Sequence, residues 1–256
     1  MQGFDSPIDR LRAIVNQLRS PGGCPWDIAQ TPESITPHII EEAYELVEAI
    51  KTNDNSLIID ELSDQLLHVV MISEMIQERG GFNFDDVARH CSEKMIQRHP
   101  HVFGNDTIST SEEVNLAWEK NKAKHSLHNS IVDGIPNQLP ALLYAQKLQK
   151  KAASVGFDWP SIKEPIKKLA EECKEFSDAA SNTHQAEEMG DILFTIVNIC
   201  RKLQLNAEDL LRNANHKFRS RFKQCETIAK KHHRQLSDYS ETELDALWDH
   251  AKKCEG

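Results

Sequence analysis

The sequence predicts an all-α protein: a tandem repeat of one helical unit, each copy a four-helix bundle completed by dimerisation. Three observations lead there. Apolar residues recur at helical spacing through most of the 256 residues. No stretch sustains two-residue alternation between turn signals, as strands would. The two halves can also be laid over each other in ordered blocks.

EEAYELVEAI at 41–50 matches EECKEFSDAA at 171–180, and DELSDQLLHVV at 60–70 matches EEMGDILFTIV at 187–197. FDDVARHCSEKMIQR, ending at Arg98, matches AEDLLRNANHKFRSR, ending at Arg221. SEEVNLAWEKNK at 111–122 matches SETELDALWDHAK, ending at Lys252, and the turn GCPWD around Trp26 matches VGFDW around Trp159. The offset stays between about 123 and 133 residues, which chance does not produce in five blocks. HNSIVDGIPNQLP, with Gly134 and two prolines, reads as the junction. The expected division is a first repeat over 1–126, a linker over 127–138 and a second repeat over 139–256.

Within the first repeat, Thr36-Pro37 offers a cap and a proline for the first helical position, just before IIEEAYELVEAI. The polar turn TNDN at 52–55 leads into a long helix from Ser56 to Arg79, with Leu62, Leu66, Val69 and Val70 at helical spacing. Gly80-Gly81 ends it. A third helix covers roughly 84–98, and a shorter fourth carries Trp118. The second repeat follows the same order. Short links between amphipathic helices imply antiparallel packing. Helices apolar over more than one stripe imply bundles that complete themselves as homodimers.

Composition narrows the function. With 39% hydrophobic and 27% charged residues a packed core is expected. Forty acidic residues against 30 basic ones give a formal charge of -10, which argues against broad binding to nucleic acid or anionic membrane. The opening MQGFDSPIDRLRAIV has no apolar run of the signal-peptide kind, and nowhere do about 18 apolar residues follow one another. Six scattered cysteines without a CxxC pair read as reduced thiols, so a cytoplasmic protein is expected.

The chemistry-bearing residues are carboxylates. Glu42 and Glu45 share one helix face, as do Glu61 and Asp64 on the next helix; Glu172 with Glu175, and Glu188 with Asp191, repeat the pattern. Antiparallel packing would gather the four carboxylates of each half. Clustered among apolar residues, they repel and need a counter-charge. A divalent cation supplies it, and an all-oxygen set favours Mg²⁺, Mn²⁺ or Ca²⁺ over Zn²⁺. Downstream, Lys94 with Arg98 and Lys217 with Arg221 lie one turn apart. Metal, lysine and arginine together suit a triphosphate, and Trp118 or Trp248 offers a flat surface for a base. A lone EExxE is usually a solvated acidic face; the ordered set of carboxylates, basic pair and tryptophan, written twice, is what outweighs that reading.

These residues resemble the MazG family of nucleoside triphosphate pyrophosphohydrolases. The family's EExxE followed by ExxD is met by Glu41, Glu42 and Glu45 with Glu61 and Asp64, and again by Glu171, Glu172 and Glu175 with Glu188 and Asp191. GCPWD, QRHPHVFG, LPALLYAQKLQKKAASVGFDW and EEMGDILF resemble the two-repeat members over almost the whole chain. The resemblance implies hydrolysis of an NTP or dNTP to monophosphate and pyrophosphate. It also implies a requirement for Mg²⁺ (Mn²⁺ as substitute), broad base tolerance, a dimer and a role in clearing unwanted nucleotides.

The halves differ. Lys168 lies one turn before Glu172, where the first half has His38; Asn198 lies on the Asp191 face, where the first half has Met71. The second half matches the family pattern better and is expected to hold catalysis. There Glu172, Glu175, Glu188 and Asp191 bind metal, one of them also positioning water. Lys168, Lys217 and Arg221 hold phosphates and Trp248 contacts the base. Glu42, Glu45, Glu61, Asp64, Lys94, Arg98 and Trp118 form a weaker site, a differently selective one, or part of a dimerisation scaffold. His68, on the Asp64 face, either disturbs metal binding or takes a neutral supporting role. A di-iron bundle needs Glu-x-x-His, which none of the twelve histidines completes, and a P-loop is absent. The non-enzymatic alternative, an acidic helical adaptor, predicts nucleotide binding without turnover.

Overall fold

The computed structural model describes residues 6–105, 110, 113–114, 117–118 and 130–254. These are helical or in turns, with no strand among them. Most of the helix expected around Trp118, and residues 127–129 of the expected linker, lie outside the described residues. Contacts divide the chain into two compact units, Met1–Asn121 and Lys122–Gly256.

The first unit runs α1 (Pro7–Arg19), α2 (Pro25–Ala29), α3 (Pro32–Thr52), α4 (Asn55–Glu78), α5 (Phe84–Arg98) and α6 (Pro100–Phe103). Helix α3 begins earlier than the sequence suggested. The Thr31 hydroxyl accepts from the Ser34 amide and the Ser34 hydroxyl accepts from the Thr31 amide, a reciprocal cap that satisfies donors the first turn leaves open. Pro32 takes the first turn, and Pro37, expected at the start, sits inside the helix. The long second helix was legible: Asn53 turns left-handed at φ 56°, the Asp54 carboxylate caps the Ser56 amide, and Gly80 at φ 78° ends the run.

Helix α3 packs most extensively on α4, and α1 lies along α4. Val15, Ile35, Val70, Met71 and Met75 form the core where the three meet. Burying each such side chain contributes about 1.5–3 kcal/mol. Polar ties fix α1 in place: Asn16 donates to Glu74 at 2.6 Å, Arg19 grips Glu78 at 2.7 Å, and Arg12 reaches Asp85 on α5 at 2.9 Å.

The second unit runs α7 (Ala141–Ser154), α8 (Lys163–Asp178), α9 (Asn182–Lys202), α10 (Ala207–Lys231), a short 3₁₀ turn at Leu236–Asp238 and α11 (Glu241–Cys254). The pairing repeats: α8 packs most extensively on α9, and α7 lies along α9. The Asp158 carboxylate, in the turn after α7, pairs with Arg201 at 2.5 Å and Lys202 at 2.7 Å near the end of α9. Burial alone would raise the Asp158 pKa, but its two cations more than reverse this and hold it below the usual range. Helix α10 outlasts α5 by ten residues because no proline follows where His99-Pro100 stops α5; its far end packs on α11 around Cys225, Leu247 and Ala251.

Candidate active site

Each long helix pair gathers its carboxylates. In the first unit Glu42, Glu45 and Glu61 each bring one oxygen within 4.8 Å of the others; in the second, Glu172, Glu188 and Asp191 do the same. The fourth predicted carboxylate of each set is close by. Asp64 raises the pKa of Glu42 through space, and Glu175 shares a hydrogen bond with Glu172. The repulsion between oxygens this close is relieved by a shared proton or a cation between them, and a set of carboxylates alone suits a hard divalent ion. The donor chemistry therefore fits a metal in both units.

The electrostatics separate the two. In the second unit Glu172 is 4% exposed, and Lys168 places its ammonium 2.7 Å from that carboxylate and 2.8 Å from Glu171. The lysine hydrogen bond holds the Glu172 pKa below the usual range despite burial, and the two carboxylates hold that of Lys168 well above its own. Glu188 accepts from His184 across 2.9 Å, one turn earlier on α9. Glu175, exposed beside the trio, has its pKa raised by desolvation first and by Glu188 and Glu172 after Lys168's opposing pull. An open groove of about 440 Å³ runs past Glu171, Lys174, Glu175, Asp178, His184 and Glu188.

The first unit has His38 where Lys168 stands, and that ring reaches Glu41 at 3.8 Å. Desolvation, then neighbouring carboxylates, raises the pKa of both Glu42 and Glu61. Glu61 Oε2, Gln65 Nε2 and His68 Nδ1 are buried without a hydrogen-bond partner, and burial lowers the His68 pKa. His68 is thus held toward its neutral form beside Asp64.

The basic pairs and tryptophans are joined as the repeat implies. The Arg98 guanidinium lies 5.2 Å from the Trp118 ring centre, and Arg221 lies 5.9 Å from that of Trp248, both within cation–π range. Trp118 also meets His99 edge-on at 4.8 Å, and Trp248 meets Phe218 at 5.2 Å. Lys217 is exposed on α10 and Lys94 half-buried on α5. What the sequence reading missed is His184, whose i,i+4 spacing to Glu188 was available. It also missed Gln149 and Arg201, which the fold alone brings together.

The family model for the MazG nucleotide pyrophosphohydrolase domain matches residues 30–103 and 161–226. The chain is 41% identical to the nucleoside triphosphate pyrophosphohydrolase/pyrophosphatase MazG of Thermotoga maritima, over 96% of this chain and 95% of that one. It is 40% identical to the nucleoside triphosphate pyrophosphohydrolase of Escherichia coli K12, over 97% and 98%. A solved chain, described as a mazG-related protein from Thermotoga maritima, aligns with a TM-score of 0.38 at 28% identity, over 45% of this chain and 98% of that one.

Proposed function

The chain belongs to the MazG nucleotide pyrophosphohydrolase family and is a nucleoside triphosphate pyrophosphohydrolase, and on that premise we propose that its second unit carries the reaction. The bond broken is the α–β phosphoanhydride of an NTP or dNTP, giving monophosphate and pyrophosphate. The observation that supports this placement is the trio Glu172, Glu188 and Asp191, with Glu172 buried, Asp191 exposed and Lys168 built into it.

Glu172, Glu188 and Asp191, with Glu175 at the edge, would hold Mg²⁺ or Mn²⁺. Once bound, such an ion offsets triphosphate charge and makes water a better nucleophile. The protein's own groups do the rest. Lys168 keeps Glu172 ionised and, being 36% exposed at its side chain, presents further donors to a phosphate oxygen. His184 fixes the rotamer of Glu188 from the groove side. Glu175, exposed and with a raised pKa, is placed to orient the attacking water and accept its proton. Lys217 and Arg221 supply donors for the pyrophosphate end, with Trp248 packed behind the guanidinium.

The first unit keeps the same carboxylates, with Lys94, Arg98 and Trp118, but lacks the lysine in the nest; it serves as a weaker site and scaffold. The assembly is a homodimer. Exposed Ile59, Leu62, Leu66 and Val69 on α4, and Met189, Leu193 and Ile196 on α9, recur three and four residues apart, the spacing of a helix seam awaiting another pair. Among the described residues no helix is long and apolar enough to cross a membrane, consistent with a cytoplasmic enzyme acting on nucleotide pools. The test is product analysis after mixing the protein with each NTP and dNTP, with and without Mg²⁺. Monophosphate and pyrophosphate, formed only with the metal, are expected. Diphosphate and phosphate, or binding without turnover, would contradict the proposal.

A further inference from the structure

The formal charge of -10 that argues against broad nucleic-acid binding is shared unevenly. Residues 1–121 carry 21 acidic side chains against 9 basic ones, whereas residues 122–256 carry 19 against 21. Much of the positive charge of the second unit sits on α10, and part of it falls on one line. Arg212, His216, Arg219, Lys223 and Lys230 follow at steps of three, four and seven residues. That spacing keeps them on one helix face over about 27 Å, at 1.5 Å per residue. All but Arg212 are exposed, and Arg219, Lys223 and Lys230 form no ion pair among the described residues. Glu226, the carboxylate that falls among them, is half-buried and pairs with neither neighbouring lysine.

This stripe is separate from the phosphate-binding pair. Lys217 and Arg221 each stand two residues from Arg219, and so lie about 160° round the helix axis from it. Two aromatic rings flank the stripe. Phe218 and Phe222 are 57% and 41% exposed, lie 5.9 Å apart and are parallel to within 15°. They precede Arg219 and Lys223 in the chain, and they continue into solvent the apolar seam of α10 that is buried at Cys225 and Ala229.

The first unit has no such face. At an offset of about 123, Glu93 stands at the position of His216 and Ile96 at that of Arg219. Arg89, at the position of Arg212, is engaged with Asp86 at 2.8 Å. Helix α5 ends at Arg98, so the ten further residues that carry Phe222, Lys223 and Lys230 on α10 have no helical counterpart there.

We infer that this face of α10 is a docking surface for single-stranded nucleic acid. A line of cations by itself attracts any polyanion. Exposed parallel rings beside it favour one whose repeating unit carries a flat face as well as a phosphate. The phosphates follow Arg219, Lys223 and Lys230, and bases stack on Phe222 and Phe218. A duplex turns its base faces inward and leaves the rings nothing to stack on. Every base has a π-face, so the surface holds a strand without regard to its sequence.

The test is fluorescence anisotropy of a labelled, mixed-sequence RNA of about 12 nucleotides, titrated with the full chain and no added metal. The RNA ends in a 5′-hydroxyl, so no triphosphate reaches the carboxylates. Three phosphate contacts predict a log–log salt slope of about -2, a loss of about twentyfold in affinity between about 50 and 200 mM salt. The triple variant Arg219→Gln, Lys223→Gln, Lys230→Gln is expected to bind about tenfold or more weakly at the lower salt and to lose most of the slope. Phe222→Leu should bind about tenfold more weakly with the slope unchanged, and Phe222→Tyr should bind as the wild type does. In all of these the melting profile and kcat/KM for NTP hydrolysis with Mg²⁺ stay at the wild-type level, and excess pyrophosphate does not displace the RNA. No binding by the wild type at the lower salt overturns the inference, as does undiminished binding by the triple variant. Tighter binding of the matching duplex overturns it too. Displacement by polyglutamate at equal charge, with Phe222→Leu unchanged from the wild type, would reduce the stripe to charge attraction alone and overturn the nucleic-acid assignment.

Discussion

The two units present the same carboxylates in the same order, and each resolves their repulsion differently. In α8 and α9, Lys168 enters the nest, and Glu172 stays ionised although almost fully buried. In α3 and α4 no lysine stands there, and Glu42 and Glu61 are driven toward protonation instead. The contrast extends along the second long helix of each pair. The first unit fills its interior with Met71 and ties Asn16 to Glu74; the second leaves Asn198, Gln149 and Arg201 around a cavity. Repetition conserved the bundle and let one copy trade packing for a site. A buried charge held ionised by its own lysine is a prepared ligand, whereas a carboxylate whose pKa is raised gives up its proton to a metal less readily.

The largest effect expected from this difference concerns the metal. Chelation should abolish turnover, and readdition of Mg²⁺ should restore it in the wild type and in Glu61→Gln. In Glu188→Gln, turnover measured under the same conditions should remain about 10³-fold down, the scale of several kcal/mol of lost charge stabilisation. Next comes Lys168. Replacing it with Met should lower kcat/KM by about 10- to 100-fold, as losing a residue that orients a metal ligand does. Glu172 loses the hydrogen bond that depresses its pKa, so the acid limb of the pH–rate profile should move to higher pH. An unmoved limb would mean that Glu172 does not limit activity in acid.

An exchange across the repeats gives a third, intermediate effect. Met71→Asn should destabilise the first unit by about 2–5 kcal/mol, because it opens a cavity and buries an amide without partners. Chemical denaturation measures that loss. Asn198→Met should leave stability nearly unchanged while impairing turnover.

How much of this could be read beforehand depends on the range of the interaction. The α4 boundaries and the pairing of Glu188 with Asp191 follow from turn residues and i,i+3 spacing, which are local, and their meeting with Glu172 needs only the antiparallel packing that a short link between α8 and α9 implies. The start of α3 was misplaced because Thr36-Pro37 imitates a start signal, while the stronger reciprocal cap at Thr31 and Ser34 lies five residues upstream. His184 was legible from its spacing to Glu188 and was passed over. The cavity was not legible: Gln149 and Arg201 stand far apart in sequence, and only the packing of α7 on α9 shows that two of their atoms lack partners.

The smallest expected effect is on metal-free stability against pH. Glu42 and Glu61 have folded pKa values raised above the ordinary 4.5. The stability they contribute is present below that value and is lost as pH rises through the raised one. Glu172, with a lowered pKa, contributes above 4.5 and loses its share as pH falls through the folded value. Thermal melts at neutral pH should therefore show Glu61→Gln slightly more stable than the wild type and Glu172→Gln less stable.

The most direct test of catalysis in the second unit is monophosphate formation from one NTP with Mg²⁺, measured side by side for Glu172→Ala and Glu42→Ala. The account predicts that Glu172→Ala is inactive and that Glu42→Ala retains most of the wild-type rate. Activity kept in Glu172→Ala and lost in Glu42→Ala would contradict it and move the chemistry to the first unit.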